Sequence, residues 1–197
     1  MRVKEWLPVW LQNYVKPTAK EKTYIRYFEI VTHHLIPYIG ESELAEVTPL
    51  MLQQMVTELS AHGNLRTGGG LSANTVNAIV TVIQAALQVA YRLGYLSEYT
   101  ADKVKRPKAA EKQIECFTVE EQKKIEAATL ADRRPKMFGI VLCLYTGLRI
   151  GELLALEWSD VDLSKGEISI NKSCHDSKKD GRYCRLIEAS KTPTSYR

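Results

Sequence analysis

The chain has 197 residues, 45% of them hydrophobic, which is enough for one or two domains with buried cores. It contains no apolar run approaching the length of a membrane span and no recognisable signal peptide, so we predict a cytoplasmic protein that does not enter a membrane. The net charge of +4 is only mildly basic, and the excess lies in residues 172–197, where seven Lys or Arg stand against three Asp or Glu.

Four segments of the first half show apolar side chains at the spacing of amphipathic helices. We expect the second helix to stop at Pro37 and Gly40. Thr48 followed by Pro49 is a start signal for the third helix, and Ser72 caps the fourth. These four helices predict an all-α domain over residues 1–98.

The fourth predicted helix also carries polar residues away from its apolar stripe. They are small or uncharged, as suits an approach to a DNA groove, and a plain solvent-facing side is the alternative. The candidate DNA-binding residues on this helix are Thr75, Asn77, Thr81 and Gln84.

Residues 99–116 are charged and contain Pro107, which indicates a linker. Its basic residues are further candidates for DNA binding, because positive charge collected in a linker fits contact with a polyanion. A solvated basic surface is the alternative. The basic cluster consists of Lys103, Lys105, Arg106 and Lys108.

The sequence TGLRIGELLAL, residues 146–156, predicts a tight corner between two buried helices. Gly147 would end the first helix, and Arg149 would lie at the start of the second. A guanidinium is always charged, and its rigid fork of donors suits phosphate oxygens. Glu152 follows one turn later and could hold the arginine in place. An ordinary helical corner with a surface ion pair is the alternative.

The pattern changes to alternating apolar residues after Trp158. Ile168 and Ile170 alternate with polar neighbours, residues 183–188 form a second run, and Asp-Gly at 180–181 is a hairpin signal. The four cysteines lack metal-site spacing, so we expect reduced thiols. Cys174, His175 and Cys184 make only a weak candidate set, and we predict no metal site.

The string TGLRIGELLALEWSDVDL closely resembles the first catalytic-arginine motif of the tyrosine recombinases, the phage and transposon integrases. The helical segments before residue 98 are similar, in order and spacing, to the core-binding domain of that family. The resemblance implies a mainly α fold: a four-helix, SAM-like core-binding domain (1–98), a basic linker running along DNA (99–116) and an incomplete α+β catalytic domain with a small β-hairpin (117–197). It also implies that Arg149 binds the scissile phosphate and that Glu152 supports it.

Ser190-Lys191-Thr192 matches the string that carries the catalytic lysine of the family. The resemblance implies that Lys191 is the general acid for the leaving 5′-oxygen, because an ammonium group near other cations loses its proton more easily. A solvent-facing hairpin lysine is the alternative. The reaction of the family passes through a 3′-phosphotyrosyl link and needs neither a metal nor another cofactor.

The sequence contains no His-x-x-Arg motif and no tyrosine at the position of the family's nucleophile. We therefore expect the chain to bind double-stranded DNA without cleaving it alone, to leave apolar surface beside TGLRIGELLAL exposed or covered by a partner copy, and to belong to a tetramer on DNA in the intact protein. One alternative is a non-catalytic module that occupies recombination sites or pairs with a full-length copy. Another is a helical interaction protein without a DNA role.

Overall fold

The computed structural model describes residues 1–99, 101–110, 113, 115–132, 134–179 and 182–189. The chain divides into two compact units, residues 1–112 and 113–197. The first is helical, and the second combines helices with short antiparallel strands, so the predicted mainly α architecture is confirmed.

The helical unit begins with α1 (Val3–Trp10), which continues into a π-helical turn at Leu11–Val15. Helix α2 (Glu21–Ile30) is likewise followed by a π-helical turn (Val31–Leu35) and then by α3 (Ile36–Ile39). The helix ends at Ile39 with Gly40 as its C-cap, so the predicted stop is confirmed at Gly40 and wrong at Pro37, which lies inside the helix. Pro37 has no amide hydrogen to donate, and the π-helical turn that ends at Leu35 lies just before it.

Helices α4 (Pro49–His62) and α5 (Ala73–Arg92) complete the helical unit, and their predicted caps are confirmed. The Thr48 hydroxyl accepts a hydrogen bond from the amide of Met51, and the Ser72 hydroxyl accepts one from the amide of Thr75. Each cap satisfies an amide that has no partner inside the helix.

Helix α5 lies at the centre of the hydrophobic core. Its residues Val76, Ile79 and Ile83 are almost completely buried, and the carbonyl of Ala86 accepts a hydrogen bond of 3.1 Å from the indole of Trp6. By length and composition alone α5 could cross a membrane, which the sequence did not lead us to expect. Its role as the core helix of this unit accounts for that apolar character.

The predicted linker is in part an element of the helical unit. Ala101 and Val104 are buried in its core, and Ala101–Lys103 forms a 3₁₀ turn. Since both apolar side chains are in the core, residues 101–107 follow the helices closely rather than bridging freely to the second unit.

The second unit opens with α6 (Val119–Ala131), whose predicted capping box is confirmed. The Thr118 hydroxyl accepts from the amide of Glu121, and the Glu121 carboxylate accepts from the amide of Thr118. Helix α7 (Phe138–Thr146) ends at Gly147, which has the left-handed φ of 66° predicted for this stop. Helix α8 (Ile150–Ala155) follows after two residues.

Two small antiparallel sheets follow α8. Strand β1 (Val161–Asp162) pairs with β2 (Glu167–Ile168). Strand β3 (Lys172–Lys179) pairs with β4 (Arg182–Ala189) in a register that places Cys174 opposite Ile187. The pairing of β3 with β4 confirms a hairpin here, and the Asp-Gly signal itself, residues 180–181, lies outside the described residues. The first strand of this hairpin is β3 and not the predicted run at Ile168 and Ile170, because Ile168 belongs to β2 and pairs with Val161. The polar residues between that run and the second one are therefore strand residues from Lys172 to Lys179.

The helices at the predicted corner are less buried than the sequence suggested. No described residue of α7 is fully buried, and Tyr145 and Ile150 are mostly exposed. The fully buried positions here include Leu148, Glu152 and Ala155. The second unit thus has an exposed apolar surface at α7 and α8, as predicted.

Candidate phosphate-binding site

Arg149 lies at the N-cap of α8, directly after the left-handed turn at Gly147. The amide of Gly147 donates a 2.9 Å hydrogen bond to the carbonyl of Cys143, which closes the last turn of α7. Leu148 is buried and anchors the corner. The short connection from Gly147 to Arg149 therefore fixes the backbone at Arg149, and the side chain of Arg149 projects from the corner.

Glu152 holds Arg149 at two points. One carboxylate oxygen accepts from the Arg149 amide at 2.9 Å, and the other accepts from the Nη1 of the guanidinium at 2.8 Å. The Glu152 side chain is only 4% exposed, whereas that of Arg149 is 70% exposed. A buried carboxylate thus fixes a guanidinium that keeps most of its donors available to solvent.

The close packing of α8 on β3 places this pair beside the hairpin. A Cβ at Gly151 would lie 2.5 Å from the Ser173 Oγ and 2.8 Å from the Cys174 carbonyl oxygen. Only a glycine permits this approach, because those distances are shorter than any ordinary carbon contact.

A second ionic cluster fixes the start of β3. The Nζ of Lys172 lies 2.7 Å from a Glu157 oxygen and 2.9 Å from an Asp160 oxygen. Hydrogen bonds to these two carboxylates raise the pKa of Lys172, and the hydrogen bond from Lys172 lowers the pKa of Asp160. Lys172 is therefore a firmly charged structural cation, poorly suited to act as a general acid. The spacing of these residues did not predict this cluster.

Lys191, the predicted general acid, lies outside the described residues. Its role stays a prediction, as do the phosphate-binding role of Arg149 and the supporting role of Glu152. The ion pair between Arg149 and Glu152 is present with the predicted spacing.

Tyr145 lies on α7, one turn before this corner. Its hydroxyl donates a hydrogen bond to the carboxylate of Glu126, and this hydrogen bond, together with the negative charge of Glu126, raises the pKa of Tyr145. A raised pKa disfavours the phenolate, so this exposed tyrosine is a poor nucleophile.

The four cysteines are free thiols, and Cys174 is buried. Among the described residues no three His, Cys, Asp or Glu side chains come close enough to hold a metal ion.

The polar residues predicted to contact DNA from α5 contact the chain itself. The Asn77 Nδ2 donates to the Pro107 carbonyl at 3.1 Å, and the Gln84 Nε2 donates to the Ala101 carbonyl at 2.7 Å. The Thr81 hydroxyl accepts from the Nη1 of Arg106 at 3.0 Å. DNA contact by these residues stays a prediction, but the structure shows a different partner for each of them.

The remaining candidate DNA-binding residues lie in the cap of α5 or on the surface. The Thr75 Oγ1 lies 2.9 Å from the Ser72 Oγ and belongs to the cap of α5. Three lysines of the basic cluster are exposed, namely Lys103, Lys105 and Lys108. The contacts of the linker could not be predicted from the spacing of residues, because they join residues 17 to 52 positions apart.

Comparison with known proteins gives matches to two family models. The model of the phage integrase N-terminal SAM-like domain matches residues 3–60, and that of the phage integrase family matches residues 112–191. Together they cover more than two thirds of the chain.

Curated relatives show the same likeness. A tyrosine recombinase XerC-like protein of Caldanaerobacter subterraneus subsp. tengcongensis is 29% identical over 95% of this chain and 49% of its own length. The ICEBs1 integrase of Bacillus subtilis is 30% identical over 85% of this chain and 43% of its own length. The chain thus spans about half the length of these relatives or less.

Solved structures share the fold. The Tn1549 transposon integrase in complex with transposon right-end DNA superposes with a TM-score of 0.80 at 18% identity, over 100% of this chain and 60% of that one. A λ integrase tetramer bound to a Holliday junction gives 0.64 at 19% identity, over 94% of this chain and 50% of that one. At these identities the likeness shows a shared fold.

Proposed function

Because this chain belongs to the phage integrase family of tyrosine recombinases, we propose that it is the DNA-contacting part of a site-specific recombinase. The observation that carries the proposal is the Arg149–Glu152 pair, in which a buried carboxylate presents an exposed guanidinium. This arrangement suits a phosphate of duplex DNA, because the remaining donors of the guanidinium can bind two oxygens at once.

The chemistry proposed for this site is stabilisation of charge on a phosphodiester. Arg149 would bind the non-bridging oxygens, on which negative charge increases when a nucleophile attacks the phosphorus. Glu152 acts through Arg149 and is a positioning residue. Lys191 would donate a proton to the departing 5′-oxygen, so that the leaving group is a hydroxyl rather than an alkoxide.

The proposed partner is double-stranded DNA, bound in the cytoplasm. The solved relatives include a λ integrase dimer on a core site and a tetramer on a Holliday junction. We propose that copies of the intact protein assemble on DNA in the same manner.

Fluorescence anisotropy with a labelled duplex tests the role of Arg149. In Arg149→Gln we expect an affinity roughly 10- to 150-fold lower, since a hydrogen bond to a charged group contributes about 1.5–3 kcal/mol. Arg134→Gln is the matched control, because Arg134 is likewise an exposed arginine of this unit that is paired with a carboxylate, Asp132, but it lies between α6 and α7 and not at the corner before α8. We expect Arg134→Gln to bind like the wild type.

Equal affinities of Arg149→Gln and the wild type would contradict the proposed phosphate contact. A wild-type chain that does not bind duplex DNA even at low salt would contradict the proposed function as a whole.

A further inference from the structure

The polar side of α5 is a docking surface for the segment that follows it. We define the basic segment as residues 101–108. Side-chain amides of α5 bond its backbone at both ends, through Gln84 to Ala101 and through Asn77 to Pro107. Helix α4 contributes a two-point contact, because Gln53 accepts from the Lys105 amide at 2.9 Å and donates to its carbonyl at 3.4 Å.

Arg106 completes this docking with its own side chain. Its Nη1 donates to the Asn77 carbonyl at 3.2 Å and to the Thr81 hydroxyl at 3.0 Å, and its Nη2 donates to the Gln84 Oε1 at 2.6 Å. All three acceptors are neutral. These bonds therefore fix the guanidinium without compensating its charge.

The charge of the segment is not compensated elsewhere in the described part of the chain. Within those residues no carboxylate lies at ion-pair distance from Arg106 or from the exposed lysines. The segment itself contains one carboxylate, that of Asp102, against four cationic residues, so a net charge of +3 (4 − 1) remains. A cationic edge of this kind is favourable only where it meets an anion or remains solvated.

The donor geometry of Arg106 points to a phosphate. A guanidinium has five N–H donors, and the contacts with α5 use those of Nη1 and one of Nη2. Among the described residues no acceptor is paired with Nε or with the second Nη2 hydrogen. Nε and Nη2 form one edge of the planar group. That edge is the one that binds two oxygens of a phosphate side by side.

We propose that Asn77, Thr81 and Gln84 are positioning residues that hold Arg106 ready for a DNA backbone phosphate. They act through the arginine and do not read bases. Their effect is to order the long side chain before DNA arrives, so that its rotational freedom is not lost during binding. The inference rests on the proposed function, because it presumes that duplex DNA is bound.

A double-mutant cycle with the full 197-residue chain tests the inference. The probe is a fluorescein-labelled duplex of random sequence, because phosphate contacts are independent of sequence. The variants are Gln84→Ala, Arg106→Gln and the double variant. Gln88→Ala is the matched control, since Gln88 is an exposed glutamine one turn further along α5.

We expect Gln84→Ala to weaken binding roughly fivefold and Arg106→Gln roughly tenfold, as for loss of a charge-assisted contact. In the Arg106→Gln background Gln84→Ala should have no further effect. Arg106→Gln should also reduce the slope of log K against log salt by about 0.9, the loss of one phosphate contact. Gln88→Ala should bind like the wild type.

Thr81→Val provides a second test that retains side-chain volume at an exposed position. It removes one acceptor of Arg106, and we expect a weakening of roughly threefold that also vanishes in the Arg106→Gln background. Circular dichroism at the assay temperature establishes that each variant is folded.

Three results would overturn the inference. If Gln84→Ala weakens binding equally with and without Arg106, Gln84 acts independently of the arginine, either by contacting DNA or through its bond to Ala101. If Gln84→Ala tightens binding, the contacts with α5 compete with DNA for the arginine. If both Gln84→Ala and Thr81→Val bind like the wild type, the positioning role is absent. A wild-type chain that fails to bind the duplex at low salt contradicts the proposed function instead, and the inference falls with it.

Discussion

Arg149 and Arg106 show two ways of fixing an exposed guanidinium. Arg149 is held by the buried carboxylate of Glu152, which also neutralises part of its charge. Arg106 is held by neutral oxygens and keeps its full charge. The first arrangement favours precise geometry at a reacting phosphate, and the second favours attraction to any phosphate of the backbone.

The contacts of these two arginines differ in how well the sequence predicts them, because their partners lie at different distances along the chain. Glu152 is three residues from Arg149, so helical geometry alone brings the two together. The acceptors of Arg106 lie 22 to 29 residues away, and they meet it only because Ala101 and Val104 bury themselves beside α5. Sequence spacing contains no information about such a contact.

Asp160 gives the second unit a pH dependence that can be measured. Hydrogen bonds from Lys172 and from the Glu157 amide hold the pKa of Asp160 below its ordinary value of 3.8. A carboxyl with a lowered pKa stabilises the fold above that ordinary value, and the contribution is lost as pH falls through the folded-state pKa. Asp160→Asn should therefore be less stable than the wild type near about pH 7, with a smaller difference near about pH 3.

Urea unfolding followed through the NMR signals of β3 and β4 measures this effect for the second unit alone. Asp176→Asn is the control, because Asp176 is an exposed aspartate of β3 whose Arg185 partner is 3.5 Å away. The difference in unfolding stability between Asp176→Asn and the wild type should be small at both pH values. A difference for Asp160→Asn that stays constant with pH would show that the ionic cluster does not stabilise the hairpin.

At the scale of elements, the sequence predicted best where one residue determines the local backbone. The caps at Thr48, Ser72 and Thr118 and the stop at Gly147 depend on hydrogen bonds or a φ value within one turn. The prediction failed at Pro37, where the helix tolerates a missing hydrogen bond because its apolar face is buried.

Strand β3 was missed for a related reason. Its sequence KSCHDSKK lacks an alternating apolar pattern, so nothing local predicts an extended chain. Pairing with β4 and the burial of Cys174 against α8 determine its conformation instead. Strands that depend on partners are harder to predict than helices that depend on caps.

The contact between α8 and β3 depends on the absence of a side chain at Gly151. Gly151→Ala would place a methyl group 2.8 Å from the Cys174 carbonyl oxygen, so the hairpin or the helix must shift. We expect a loss of about 1–3 kcal/mol in the stability of the second unit, typical of overpacking. The same shift would displace Glu152, so the affinity for duplex DNA should also fall.

Gly69→Ala is a suitable control for this substitution, because the nearest atom to its Cβ would be 3.5 Å away. Urea denaturation and the anisotropy assay apply to both variants. If Gly151→Ala were as stable as Gly69→Ala, the approach of α8 to β3 would be looser than the structure indicates.

The whole molecule combines a well-buried helical unit with a second unit that leaves apolar side chains exposed. A groove of about 1090 Å³ in the second unit is lined by α7, α8 and the first small sheet. Trp158 and Leu163 are more than four-fifths exposed at its margin. Exposed apolar surface of this extent is unusual for an isolated domain, which agrees with a unit that functions in contact with other protein surface.

Each unit supplies one proposed phosphate contact, so the two contacts can be tested together. Arg106 belongs to the helical unit and Arg149 to the second, and they share no partner among the described residues. Losses of binding free energy at independent sites add. The double variant Arg106→Gln/Arg149→Gln should therefore lose the sum of the two single losses, and the salt slope should fall by about 1.8, or about 0.9 per contact.

Anisotropy titrations of the wild type, both single variants and the double variant over a range of salt concentrations measure both quantities. Additive losses mean that one duplex contacts both units at the same time. The double variant could instead bind the duplex with the same affinity as the single variant that binds less tightly. In that case DNA would engage the two units only together, and removal of either arginine would release both. That outcome would assign the units a joint binding step in place of two independent contacts.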